Sequence, residues 1–244
     1  MKHEGAAAAV ERLLVRYATS AKAKSSAWFF KTGPGQYGEG DRFIGVTVPE
    51  QRKVAKQFRE LPLNEIETLL ASPIHEHRLT ALLILVGQYS RLKKTGDERS
   101  VVDFYLTHLD GVNNWDLVDS SASYILGDWI VAHHDDRRIL AVLARSGDLW
   151  KERVAMIATA ALINAGSFKP TLELAERFLT HRHDLIHKAT GWMLREVGKQ
   201  DRATLERFLD AHAREMPRTM LRYAIEKFEP HERKRYLELK KEAR

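Results

Sequence analysis

Trp115 and Asp119 stand four residues apart in NNWDLVDSS, residues 113–121. On an α-helix that spacing puts both side chains on one stripe, with Ser123 a further turn along. An indole face and a carboxylate together suit a cationic centre, because both stabilise nearby positive charge. Asp116 falls in the first helical turn, behind an Asn113 or Asn114 N-cap, where the helix dipole favours an acid. That explains Asp116 without a function. Asp119, later in the helix, has no such explanation. Val118, Ile125 and Trp129 form an adjoining apolar flank. Ser120, Ser121 and Ser123 are small enough to let a bulky partner approach. The same pattern also fits a surface acid, paired with an arginine, beside a half-buried tryptophan.

A second group lies downstream. In HKATGWMLREVGK, Lys188, Trp192 and Arg195 fall at i, i+4 and i+7 on one helical face. Cations for phosphates and an indole for sugars or bases would suit a polyanion. Amphipathic packing with snorkelling cations gives the same pattern. In LWKERVAMIATAALI, Arg153 interrupts an apolar run after Trp150. The chain carries 39 Lys+Arg against 33 Asp+Glu, a formal charge of +6. That excess fits an anionic partner and also many ordinary globular proteins. With no cysteine, disulfides, Cys nucleophiles and thiolate metal sites are excluded. HEH (75–77) is not H-E-x-x-H, and HHDD (133–136) and HRH (181–183) fall between helices, so no metal site is expected. Gly33, Gly35 and Gly38 spell G-x-G-x-x-G, but an aromatic helix precedes them and Glu39 and Asp41 follow. A dinucleotide site needs a strand before and a helix after. The stretch reads as an ordered Gly-rich loop that packs through Tyr37 and Phe43 or borders a ligand.

The elements that must position these residues are helices. IETLL (66–70), RLTALLILV (78–86), VVDFYLTHL (101–109), RRILAVLA (137–144), RVAMIATAALI (153–163) and LELAERFL (172–179) all repeat near 3.6 residues. IGVTV (44–48) is the one β-like run, closed by Pro49. Pro62, Pro73, Pro170, Pro217 and Pro230 also sit between periodic segments or in first turns. Gly87, Gly127, Gly166 and Gly198 follow apolar helices and read as C-caps. Their spacing of roughly 40 residues, with two helices per unit, is the signature of HEAT-type repeats. The expected fold is therefore all-α, HEAT-like helical repeats stacked into a curved α-solenoid, with no linker and a single domain over 1–244. MKHEGAAAAVERLL has an acid where a signal peptide needs an apolar core. No apolar run approaches the roughly 20 residues that span a bilayer. A soluble, cytoplasmic protein with no membrane partner is expected. The terminal KFEPHERKRYLELKKEAR reads as a charged helix, either a solvated cap or a phosphate contact.

Four stretches resemble the HEAT-like-repeat DNA alkylation repair family, of the AlkD glycosylase type. They are FIGVTVPEQRKVAK (43–56), WDLVDSSASYILGD (115–128), the helix carrying Arg153, and KATGWMLRE (188–196). Thr47 and Val48 stand where a more polar pair is usual, and Asp184 and Leu185 where an aromatic pair can occur. The resemblance implies a solenoid that cradles duplex DNA and hydrolyses the N-glycosyl bond of cationic N3- or N7-alkylated purines. It implies no metal and no organic cofactor. Carried over by motif, Asp119 is the catalytic carboxylate, with Trp115 and Trp192 against the lesion nucleotide. Arg153, Arg195, Lys188 and Arg52 become DNA-contacting cations. The expected partner is duplex DNA containing alkylated bases, bound by a monomer that is nucleoid-associated when on DNA. The alternative is a non-catalytic repeat module that binds bent or branched DNA.

Overall fold

The computed structural model describes residues 5–239. Among them there is no strand, only an isolated bridge between Arg42 and Ile74, so the all-α expectation holds. The described chain divides into two compact units, the first running through Ser121 and the second beginning at Ala122.

The first unit contains α1 (Ala6–Val15), α2 (Ser20–Phe29), α3 (Val48–Gln57), α4 (Leu63–Leu70), α5 (His75–Leu92), α6 (Arg99–Thr107) and α7 (Trp115–Asp119). α5 is its hub, in contact with α1, α3, α4, α6 and α7. Leu79, Ala81, Leu82, Ile84 and Leu85 are all buried, as a helix enclosed on every side requires. Thr47 and Glu50 close a capping box at the start of α3, with Pro49 in its first turn. α2 differs from the rest: it buries no residue and leaves Trp28 and Phe29 exposed.

The second unit opens on a wide helical turn, Ser123–Gly127. α8 (Asp128–Ala132), α9 (Arg138–Leu143), α10 (Leu149–Asn164), α11 (Lys169–Arg177), α12 (Asp184–Gln200), α13 (Arg202–His212), α14 (Arg218–Ala224) and α15 (Pro230–Glu238) follow. The second helices of successive pairs, α10, α12 and α14, stack on one another, while α9 and α11 pack against α10 and α13 against α12. This is the nearest-neighbour layering of helical repeats. Successive pairs begin at Arg138, Lys169 and Arg202, a tighter repeat than the glycine spacing predicted. The expected C-terminal helix forms as α15; residues 240–244 and the first four of the chain lie outside the described residues.

The glycines explain that difference. Of the four predicted caps only Gly166 is one: its φ is +76°. Its N–H donates to Ile163 and that of Ser167 to Leu162, the paired bonds of a left-handed helix end. Gly87 and Gly198 lie inside α5 and α12, and Gly127 ends the wide turn. A Cβ on Gly127 would sit 2.2 Å from the Ala158 carbonyl of α10, and one on Gly198 2.3 Å from Leu205. These glycines permit close packing rather than a left-handed turn. Gly87 meets nothing within 4 Å. Opposite effects follow. Gly87→Ala should stabilise by about 0.5–1 kcal/mol through backbone entropy and helix propensity. Gly127→Ala should destabilise by about 1–3 kcal/mol through overpacking. Chemical denaturation of the two variants reads both signs.

NNWDLVDSSASYILG does not form the continuous helix its pattern predicts. α7 ends at Asp119, residues 120–122 turn, and Gly127 N–H reaches back five residues to the Ala122 carbonyl at 2.9 Å. Wide turns of this kind interrupt the 100° progression, so the Trp115–Asp119 stripe cannot be projected onto Ser123. Within their own units Val118, Ile125 and Trp129 are buried, as expected.

Candidate functional site

α7 is only five residues long, too short to be stable through its own hydrogen bonds. Its neighbours hold it. The N-cap is Asn114, whose side chain accepts the Trp115 N–H at 2.8 Å. The half-buried Trp115 indole stacks on Phe30 at 5.2 Å and 16°, and Phe29 meets it edge-on at 5.9 Å. At the other end Ser121 donates to the Leu117 carbonyl at 2.6 Å, and the Tyr105 phenol donates to Ser121 at 3.0 Å. Burial, opposed by the Ser121 bond and reinforced by the Asp119 charge, pushes the Tyr105 phenol up. It stays a neutral donor. Trp115 and Asp119 are thus carried one helical turn apart on a helix clamped at both ends, with Asp119 half-buried.

Under the N-terminus of α7 lies a polar network that pattern reading missed. His75, 2% exposed, bonds Asp116 through Nε2 at 2.8 Å and Asp41 through Nδ1 at 3.0 Å. Asp41 is further held by Arg78 and by the Asn114 amide, the latter at 2.8 Å. Burial alone would lower the His75 pKa, but bonds and charges from Asp116 and Asp41 outweigh it and raise it to about 9. Burial would raise the Asp41 carboxyl, but the His75 bond, the Arg78 charge and the Asn114 bond hold it below its ordinary value. Asp116 is therefore more than a helix-start acid: it joins α7 to α5. Phe43 stacks on the His75 ring at 4.6 Å, and Phe30 meets it tilted at 4.8 Å. Of the two loop aromatics expected to pack, Phe43 does so here.

The same HEHR segment seats the Gly-rich loop. The buried Glu76 carboxylate accepts the N–H groups of Gly45 at 2.7 Å, Ile44 at 3.1 Å and Val46 at 3.3 Å. Gly45 has φ +83°, and a Cβ there would lie 2.1 Å from the Thr19 carbonyl. The β-like run is thus irregular chain, turned at Gly45 and tied to a side chain. Its signal in the sequence was an acid among histidines at the start of an apolar helix.

In the second unit Lys188, Trp192 and Arg195 share α12. Each cation has an acidic partner: Lys188 meets Asp184 at 2.8 Å, and Arg195 meets Glu226 and, at 3.4 Å, Glu196. Trp192 Nε1 donates to Glu196 at 3.1 Å. This face offers an indole among mixed charges rather than a row of bare cations. Arg153 is 4% exposed and donates to the Leu185 carbonyl at 2.6 Å. The surface cation anticipated there is an interior one that fastens α10 to the first turn of α12. Truncation to Arg153→Ala should therefore cost about 1–3 kcal/mol in stability by removing a buried side chain and its hydrogen bond from α10 to α12; an unchanged melting temperature would count against that role. Arg52 is exposed on α3. His183 caps α12 by accepting the Leu185 N–H at 3.2 Å, and His181 pairs with Glu152 at 2.9 Å. Among the described residues no group of three or more His, Asp or Glu side chains gathers as a metal ion would need, and no helix is long and apolar enough to cross a membrane.

The comparisons with known proteins come from two directions. A solved structure, a predicted DNA alkylation repair enzyme from Enterococcus faecalis, superposes with a TM-score of 0.69 at 19% identity. The match covers 87% of this chain and 97% of that one, and shows a shared fold. No curated protein matches the chain significantly. The family model described as DNA alkylation repair enzyme matches residues 10–228, spanning parts of both units and every candidate residue discussed above. The chain belongs to the DNA alkylation repair enzyme family.

Proposed function

We propose that the protein is a monofunctional DNA glycosylase that hydrolyses the N-glycosyl bond of cationic alkylated purines, such as 3-methyladenine and 7-methylguanine, in duplex DNA. The observation that carries this reading is the mounting of Trp115 and Asp119. A carboxylate and an indole are held one turn apart by a cap, an aromatic stack and a buried ion network, so they are preorganised rather than mobile. An alkylated purine already bears positive charge, so it departs as a neutral base without a strong general acid. As the bond from C1′ to the base nitrogen breaks, the electron pair leaves with the base and positive charge develops on the sugar. Asp119 stabilises that charge and takes a proton from the water whose oxygen bonds to C1′. The products are the free base and an abasic site. Trp115 packs against the lesion nucleotide. In the second unit Trp192 offers its indole to a sugar or base of the DNA, and Lys188 and Arg195 meet phosphates by exchanging their acidic partners for them. Arg52 on α3 contributes a further phosphate contact, and Arg153 supports α12.

Incubation with methylated duplex, chromatography of the released bases and a gel shift on the same samples test this reading. Release of 7-methylguanine or 3-methyladenine is expected. Salt-sensitive binding without base release would instead establish a DNA-binding module that does no chemistry.

A further inference from the structure

The second unit holds a cavity of about 510 Å³ between α9 and α11, on different helices from Lys188, Trp192 and Arg195. Its wall contains four cations, Arg137, Arg145, Lys169 and Arg177, and one carboxylate, Glu173. Two hydrogen bonds fix how the helices run. Arg137, just before α9, reaches Ser167, just before α11, at 3.5 Å. Arg177, the last residue of α11, donates to the Ala144 carbonyl just after α9 at 2.8 Å. The helices therefore lie side by side in the same direction. Arg137 and Lys169 sit at the leading end, and Arg145 and Arg177 at the trailing end. The buried Leu140 and Leu174 form an apolar floor between them.

The partners of these cations leave capacity for a ligand. Arg137 Nε is buried without a hydrogen-bond partner. Lys169 faces Glu173 at 3.6 Å, both largely exposed, a weak pair by its exposure. Arg177 spends its Nε on the Ala144 carbonyl. α11 has neither a side-chain cap nor an acid in its first turn, which leaves positive potential at the leading end. The eight-residue rise from Lys169 to Arg177 is about 12 Å. One small anion cannot satisfy both ends of such a cavity, and the apolar floor is wasted on inorganic phosphate alone.

We propose that this cavity binds a ligand carrying two phosphoryl groups on either side of a sugar or base, one group held by Arg137 and Lys169 and the other by Arg145 and Arg177. A free nucleoside bisphosphate and a segment of a DNA strand share that chemistry. The volume lies within the usual range for small-molecule sites, about 300–1,000 Å³, and arginine forks suit phosphoryl oxygens. The site stands apart from the base-release reading, since none of its residues belongs to α7 or α12.

Calorimetry with thymidine 3′,5′-bisphosphate and thymidine 5′-monophosphate, on the full chain and on Arg145→Glu and Lys169→Glu, tests it. The bisphosphate should bind at least tenfold tighter than the monophosphate, and each reversal should weaken it at least tenfold. Both substituted residues are exposed, so folding should persist, checked by circular dichroism. Binding of unmodified duplex by the same variants then identifies the source. A loss of duplex affinity with a shallower salt slope assigns the site to strand phosphates, and unchanged duplex affinity assigns it to a free nucleotide. Equal affinity for mono- and bisphosphate, or variants that bind the bisphosphate like the parent chain, overturns the proposal.

Discussion

Asp119→Asn should fold and bind methylated duplex like the parent protein while releasing 7-methylguanine at least 10²–10³-fold more slowly, the scale seen when one preorganised electrostatic group is removed. The substitution keeps the shape of the side chain and deletes its charge. Asp119 closes a helix held by Asn114, Ser121 and Tyr105, none of which needs that charge. A structural role would therefore appear as a lower melting temperature, and a catalytic role as lost base release at an unchanged one. Losing an anion beside DNA phosphates should leave the dissociation constant the same or smaller. Single-turnover base release at saturating protein, with a gel shift alongside, separates the two. Release at the parental rate would sink the mechanism.

The second large effect is on stability. His75→Leu should cost about 3–5 kcal/mol, because it leaves Asp116 and Asp41 in a buried site without the cation between them. Its pH dependence has a definite sign. The folded-state pKa of His75 is raised from an ordinary 6.5 to about 9. The stabilisation, roughly 3 kcal/mol by linkage, is thus fully present below pH 6.5 and lost as pH rises through 9. Asp41 works in the opposite direction: its depressed pKa gives stability present above the ordinary carboxyl range and lost on acidification. Melting temperatures should therefore fall between pH 6.5 and 9 for the parent chain. They should stay flat over that window for His75→Leu. The same slope in both proteins would show that the histidine is not the titrating group.

How far the sequence reaches depends on the range of the interactions that matter. Apolar periodicity located the helices because each stripe is a local pattern, and the prolines marked first turns because φ is fixed within one residue. Trp115 and Asp119 were legible for the same reason: their relation lies inside one helix. Glycine was misread because its two uses, reversing φ and admitting a neighbouring backbone, look identical in one dimension; Gly166 does the first and Gly127 the second. The His75 network joins residues 34 and 41 positions apart, and no period links them. Asp116 was hidden behind a sufficient local explanation, its place in a first turn. Arg153 shows the limit for charge: an arginine in an apolar helix reads as a surface cation until its acceptor, a carbonyl 32 residues further on, is known.

Glu76 has a consequence for solubility. Ile44–Val48 is rich in β-branched residues and carries no charge, the composition of a segment that pairs with copies of itself. Were such a segment to extend along a free edge, its N–H donors would template another chain. One carboxylate occupies three consecutive donors of the segment and denies them to an incoming strand. Removing it would release the donors of a β-prone stretch, from which cross-β association between molecules would begin.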